Sequence, residues 1–223
     1  MKQLLSLSIL LCYSSFAQIK VDCVNEALEI LQTNYSRGMK ILNNPSVLSR
    51  EKELKGFIEC DDYVNTLRSL ETVVHEAIHF IDANNPSTRR SFYLVNDSIV
   101  SVALSERSLE AIQMKKLNLI YPTLSDNEQK DMGYADSYLK GDIGNQDFFS
   151  LLGELNAYSN GLDASIHLPR LPYGYSCTAL AGPLAMIVFV LRYYEYFEKH
   201  EPAFFNETLM DNELQPVVKT LIW

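Results

Sequence analysis

The sequence predicts a mostly helical α+β domain that carries a small β-sheet or hairpin. Three observations carry that reading. About six segments repeat apolar residues at helical spacing, most of them bounded by capping residues, glycine or proline. The stretch 91–102 instead groups β-branched and aromatic residues around a turn-competent pair, Asn96-Asp97. No internal repeat, linker or low-complexity segment divides the chain, so one domain is expected.

The N-terminus reads as a targeting segment. Lys2 supplies a short positive region, Leu4–Tyr13 an apolar stretch too short to span a bilayer, and Ser15-Phe16-Ala17 a small-x-small cleavage site. Residues 1–17 are therefore expected to be a signal peptide, and 18–223 a single exported domain, periplasmic or extracellular. Cys12 follows Leu10 and Leu11 rather than the small residues that precede a lipidated cysteine, which argues against a lipid anchor. The formal net charge is −9, and loss of Lys2 makes the mature chain one unit more negative. Such a surface does not suit nucleic acid. Export permits disulfides. Cys23, Cys60 and Cys177 remain, an odd number that allows one internal bridge, taken as Cys23–Cys60. Cys177 borders an apolar run and suits a buried thiol.

The elements follow in order. Asn25–Leu31 has helical spacing, and Asn43-Asn44-Pro45 marks a loop. Gly56–Cys60 reads as a short strand. No helix breaker interrupts the chain from about Tyr63 until Asn84-Asn85-Pro86, so a long helix is expected there. Ser91–Val95 and Ser98–Val102 form the expected hairpin. An edge strand there could pair with an extended peptide, but a plain structural hairpin is the simpler reading. Glu106–Asn118 reads as a helix, followed by a loop around Pro122. Ser125-Asp126-Asn127-Glu128 is an S-x-x-E capping box opening a helix that runs to about Lys140 and stops at Gly141. A third helix is expected over about Gln146–Ala164, then a loop rich in Pro, Gly and Tyr over Leu168–Ser176. Pro183 suits the first turn of an apolar helix reaching about Lys199. Leu171–Leu191 carries no charge, but Pro172, Gly174, Gly182 and Pro183 break it, and the uncharged part of the helix spans only Pro183–Leu191 before Arg192, well short of the ~20 residues a membrane span needs.

The chemistry concentrates in His75-Glu76-Ala77-Ile78-His79, an H-E-x-x-H sequence. Residues four apart share one helix face, so His75 and His79 can hold one metal ion together. Glu76 is offset by about 100° and can reach a water beside that ion. Val73, Val74, Ala77, Ile78, Phe80 and Ile81 bury the helix on most sides, where two histidines and a glutamate are costly unless paired or bound to metal. A catalytic zinc site needs a third protein ligand and one open position. Asn85 stands six residues after His79, where one known arrangement places a histidine. Glu154 is the favoured third ligand. It lies in an apolar helix, with Leu151 and Tyr158 on its face and small Gly153 and Ala157 to permit close helix approach. His167, Glu110 and Asp163 are the alternatives.

At these residues the chain resembles the gluzincins, zinc metallopeptidases with H-E-x-x-H on one helix and a glutamate ligand on a later one. His75-Glu76-x-x-His79-x-x-Asp82 is also similar to the lethal-factor-like branch of zincins. The resemblance implies a zincin-like fold, zinc held by His75, His79 and Glu154, Glu76 as general base and a peptide or protein as substrate. Thermolysin-type relatives carry an acid four residues after the ligand glutamate, where this chain has Tyr158. A tyrosine can stabilise the oxyanion of peptide hydrolysis. Tyr158 is the first choice, one turn from Glu154, ahead of Tyr93, Tyr173 and Tyr175. Asp82 is expected to support the metal ligands from behind. The alternative is an exported binding protein that keeps a zincin fold without catalysis, although binding alone does not require Glu76.

Overall fold

The computed structural model describes residues 22–83, 89–131, 133–169 and 177–222. The expected signal peptide, the Asn84-Asn85-Pro86 helix stop, the 170–176 part of the loop with Tyr173 and Tyr175, and the Cys177 side chain lie outside the described residues.

Helix α1 covers 22–34. It is followed by α2 (Ser36–Leu42), α3 (Pro45–Leu48) and α4 (Glu51–Lys55), which pack against the long helix α5 (Tyr63–Asp82). The expected strand at Gly56–Cys60 is absent. Ile58 is buried and Cys60 is bridged to Cys23, and those two anchors hold the segment as irregular chain. Asp62 opens α5 by accepting a hydrogen bond from the Asn65 backbone N–H at 2.8 Å.

The hairpin forms where the sequence places it. Strands β1 (Arg90–Tyr93) and β2 (Ile99–Val102) pair antiparallel, with Tyr93 opposite Ile99. Asp97 sits in the turn at φ 65°, a conformation that Asp tolerates better than most residues. Its carboxylate accepts hydrogen bonds from Lys40 (2.6 Å), Arg37 (2.7 Å) and the Tyr93 hydroxyl (2.8 Å), tying the hairpin tip to α2.

Helix α6 (Glu106–Met114) ends short of Asn118, and single turns of 3-10 helix follow at Leu117–Leu119 and Tyr121–Thr123. The capping box is reciprocal: the Ser125 N–H donates to Glu128 Oε2 at 2.7 Å and the Glu128 N–H to Ser125 Oγ at 3.3 Å. The helix it opens does not reach Lys140. It splits into α7 (Asp126–Asp131) and α8 (Ala135–Leu139) around Gly133, whose φ of 63° no helix accommodates. A further turn, α9 (Gly141–Gly144), leads to α10 (Phe148–His167), capped by Asp147. Helix α11 (Cys177–His200) starts earlier than expected, so Pro183 lies inside it rather than in the first turn. A tertiary contact accompanies the added turn, because Gly182 lies directly against the ring of Tyr158. The chain ends with α12 (Pro202–Phe204), a π-helical turn at Phe205–Leu209, and α13 (Leu214–Ile222).

Among the described residues two apolar cores result. One joins α1–α5 to one side of α10, through residues such as Leu31, Leu70, Ile78 and Ala157. The other joins the hairpin, α6, α11 and α13 to the remaining sides of α10, through Ile112, Leu151, Phe189 and Val217. Each fully buried large side chain contributes about 1.5–3 kcal/mol. Helix α10 is covered along most of its length because both cores claim it, and this sandwiched position presents Glu154 to α5. Among the described residues no helix is long and apolar enough to cross a membrane.

Candidate metal centre

Helices α5 and α10 pair Glu71 with Gly161 at one end and His79 with Glu154 toward the other, so they run in opposite directions. Small residues permit the approach, though not both of the expected ones. Ala157 is fully buried between the helices, whereas a Cβ at Gly153 would meet nothing within 4 Å. Gly161 takes over that role: a Cβ there would lie 3.2 Å from Glu71 Cγ and from the Glu71 backbone oxygen.

The consequence is convergence. His75 and His79 occupy successive turns with Nε2 atoms 3.1 Å apart and rings nearly edge to face. Glu154 Oε2 lies 3.5 Å from His75 Nε2, and Oε1 lies 3.4 Å from His79 Nε2. The three side chains form a cluster able to hold a metal ion. One ligand atom from each residue lies within 4.8 Å of the other two, and each imidazole has its own carboxylate oxygen of Glu154 at 3.4–3.5 Å. Glu154 Oε2 is also buried and makes no hydrogen bond. An orphaned carboxylate oxygen beside two imidazole nitrogens is costly in the absence of a cation. Two imidazoles and a carboxylate are a donor set that suits a divalent ion.

Electrostatics agree with the geometry. Burial would raise the Glu154 pKa, but the pull of His75 and His79 outweighs it and holds the carboxyl down at about 2. Burial would lower the pKa of His79, and Glu154, with the charges of Glu76 and Asp82, turns the net shift upward. The group is therefore poised for positive charge.

The remaining expected residues fall into distinct places. Glu76 is half-buried on α5, close enough for its charge to act on His79. Asp82 joins elements: Oδ1 accepts the Tyr93 N–H at 2.9 Å and Oδ2 the Asn156 amide at 2.8 Å, pinning β1 and α10 to the end of α5. Burial raises its pKa to about 7, against the opposing effects of those two bonds and of His79. Tyr158 stands edge-on to the His75 ring, with centroids 4.4 Å apart. Burial raises the Tyr158 phenol to about 12, so it stays protonated at neutral pH. Tyr93 spends its hydroxyl on Asp97. The alternative ligands are elsewhere: Glu110 is exposed, Asp163 accepts the Tyr35 hydroxyl at 2.6 Å, and His167 bonds the Asp163 carbonyl from the last turn of α10.

Sequence reasoning missed Tyr138 and Gly182. The Tyr138 hydroxyl is 2.8 Å from that of Tyr158, and burial followed by the charge of Glu154 pushes its pKa well up. Tyr134, the N-cap residue of α8, and Tyr138 four residues on were the only signal for it. Gly182 makes room for Tyr158: a Cβ there would lie 2.3 Å from Tyr158 Cδ1.

No protein-family model matches the chain, and neither does any curated protein or solved structure.

Proposed function

We propose that the chain is an exported zinc-dependent metallopeptidase of zincin type. The observation that carries this reading is the convergence of His75 and His79 of α5 with Glu154 of α10, one ligand atom from each within 4.8 Å of the others, on a helix α5 that also carries Glu76. Zinc is the ion best matched to two imidazoles and one carboxylate with a position left open. When bound, it would supply Lewis acidity toward a peptide carbonyl and lower the pKa of water from about 15.7 toward about 7.

The chain's own residues supply the remaining functions. Glu76 accepts the proton of the attacking water and hands it to the leaving amine. Tyr158, protonated and packed on His75, is the proposed donor to the developing oxyanion. Tyr138 holds the Tyr158 hydroxyl. Asp82 supports the site by fixing the end of α5 against β1 and α10. The Cys23–Cys60 bridge favours an oxidising compartment and so supports export.

The test is the metal content of purified 18–223 by elemental mass spectrometry, beside His79→Ala and Glu154→Ala, followed by exposure to a peptide library. One zinc per chain, lost in both variants, is expected, with cleavage that disappears in Glu76→Gln while zinc stays. Wild-type cleavage by Glu76→Gln would sink the mechanism. A chain that takes up no zinc would sink the reading.

A further inference from the structure

A cleft of about 280 Å³ is lined by two of the three donors, His79 and Glu154, together with Arg90 and Phe149. Arg90, the first residue of β1, is the one lysine or arginine among the described residues that lines it. Its Nε is buried and has no hydrogen-bond partner. A buried guanidinium N–H left unpaired is costly.

The carboxylates of the same cleft have other commitments. Asp82 accepts from the Tyr93 N–H and the Asn156 amide. Asp147 caps α10 by accepting from the N–H groups of Phe149 and Ser150, at the positive end of the helix. Glu154 faces His75 and His79. The Phe149 ring centroid lies 5.9 Å from the guanidinium carbon of Arg90, at the outer edge of cation–π range.

We propose that Arg90 is a substrate anchor, which binds a carboxylate of the peptide while the adjoining main chain lies across His79 and Glu154. The inference rests on the metallopeptidase reading and gives it a substrate class: peptides with an acidic side chain, or a free C-terminal carboxylate, at a fixed distance from the scissile bond. A planar guanidinium pairs with such a group through two parallel hydrogen bonds, which a lysine cannot reproduce.

The test reads Arg90 directly. In ¹⁵N-labelled protein, zinc-loaded and metal-free, the Arg90 Nε–H resonance is assigned as the one missing from Arg90→Lys. Three probes are then titrated. N-acetylglutamate α-amide offers only a side-chain carboxylate, N-acetylglutamine only a terminal one, and N-acetylglutamine amide neither. A shift with one of the first two and none with the third is expected, and it identifies which carboxylate is read. Binding of that probe should weaken about tenfold or more in Arg90→Ala, the loss expected for a charged hydrogen bond. No shift with either carboxylate overturns the anchor. A shift from a chain that cleaves no peptide upholds the anchor and removes the peptidase reading instead. In a chain that does cleave, acids or free termini should be enriched at one position of the cleaved peptides. That enrichment should vanish in Arg90→Ala, and its persistence there would overturn the proposal.

Discussion

Glu154 Oε2 lies 3.5 Å from His75 Nε2, is buried, and accepts no hydrogen bond. In a helix pair packed this closely, that oxygen lacks only a cation. A metal bound there should therefore stabilise the fold. Zinc at about 100 times its dissociation constant should stabilise the fold by about 2.7 kcal/mol. For a chain of this size that raises Tm by about 5–10 °C. Differential scanning calorimetry with zinc and with chelator measures it. The shift should disappear in Glu154→Gln, and an equal shift there would place the bound ion elsewhere.

Tyr138 is expected to support the same cluster from behind. Its hydroxyl holds that of Tyr158 at 2.8 Å, and Glu154 is close enough to raise its pKa. Removal of a hydrogen-bonding group behind a metal ligand typically weakens metal affinity about 10–100-fold. Competition against a fluorescent zinc chelator should show a loss of that order in Tyr138→Phe, while circular dichroism stays unchanged.

Gly182 and Tyr158 should be energetically coupled. A Cβ at Gly182 would lie 2.3 Å from Tyr158 Cδ1, too close for a ring held between helices to yield cheaply. Gly182→Ala should cost about 1–3 kcal/mol as overpacking. In a Tyr158→Ala background the same change should be neutral or stabilising by up to about 1 kcal/mol, since alanine is the better helix former. Urea denaturation of the double-mutant cycle gives the coupling.

Asp97 should contribute to acid sensitivity. The hydrogen bond from Lys40 holds its carboxyl down most, burial opposes it, and Tyr93 and Arg37 add to the lowering, leaving a pKa of about 2. A carboxyl lowered on folding stabilises fully above its unfolded pKa of about 3.9, and that stability is lost as pH falls toward 2. Asp97→Asn, which tolerates the same positive φ, should be less stable than wild type at pH 6. The difference should shrink between pH 4 and 2, as followed by urea titrations across that range. A constant difference would contradict the assignment.

Features written into neighbouring residues were legible from the sequence. The four-residue spacing of His75 and His79 fixes one helix face, Ser125 and Glu128 cap each other across one turn, and Asn96-Asp97 closes the hairpin. Where local signals misled, a longer-range partner or a backbone conformation had decided otherwise. The Gly56–Cys60 segment is pinned by burial and a disulfide rather than by a strand. The helix after Ser125 breaks at Gly133, whose left-handed conformation no apolar periodicity announces.

The sequence by itself determined that two imidazoles and Glu76 share one buried helix, because helical geometry alone sets their spacing. It nominated Glu154 in competition with His167, Glu110 and Asp163, since each is an acid or imidazole on a helix. Only the tertiary structure shows which of them comes within reach of both histidines. Helix α10 is held between two cores, and that sandwich turns Glu154 toward α5, whereas Glu110 is exposed on α6 and His167 sits on the last turn of α10. The same packing brought Tyr138 behind the cluster and Arg90 into its cleft. Neither is near the H-E-x-x-H segment in a way that periodicity can express. Their placement depends on which apolar faces meet, a property of the whole packed chain.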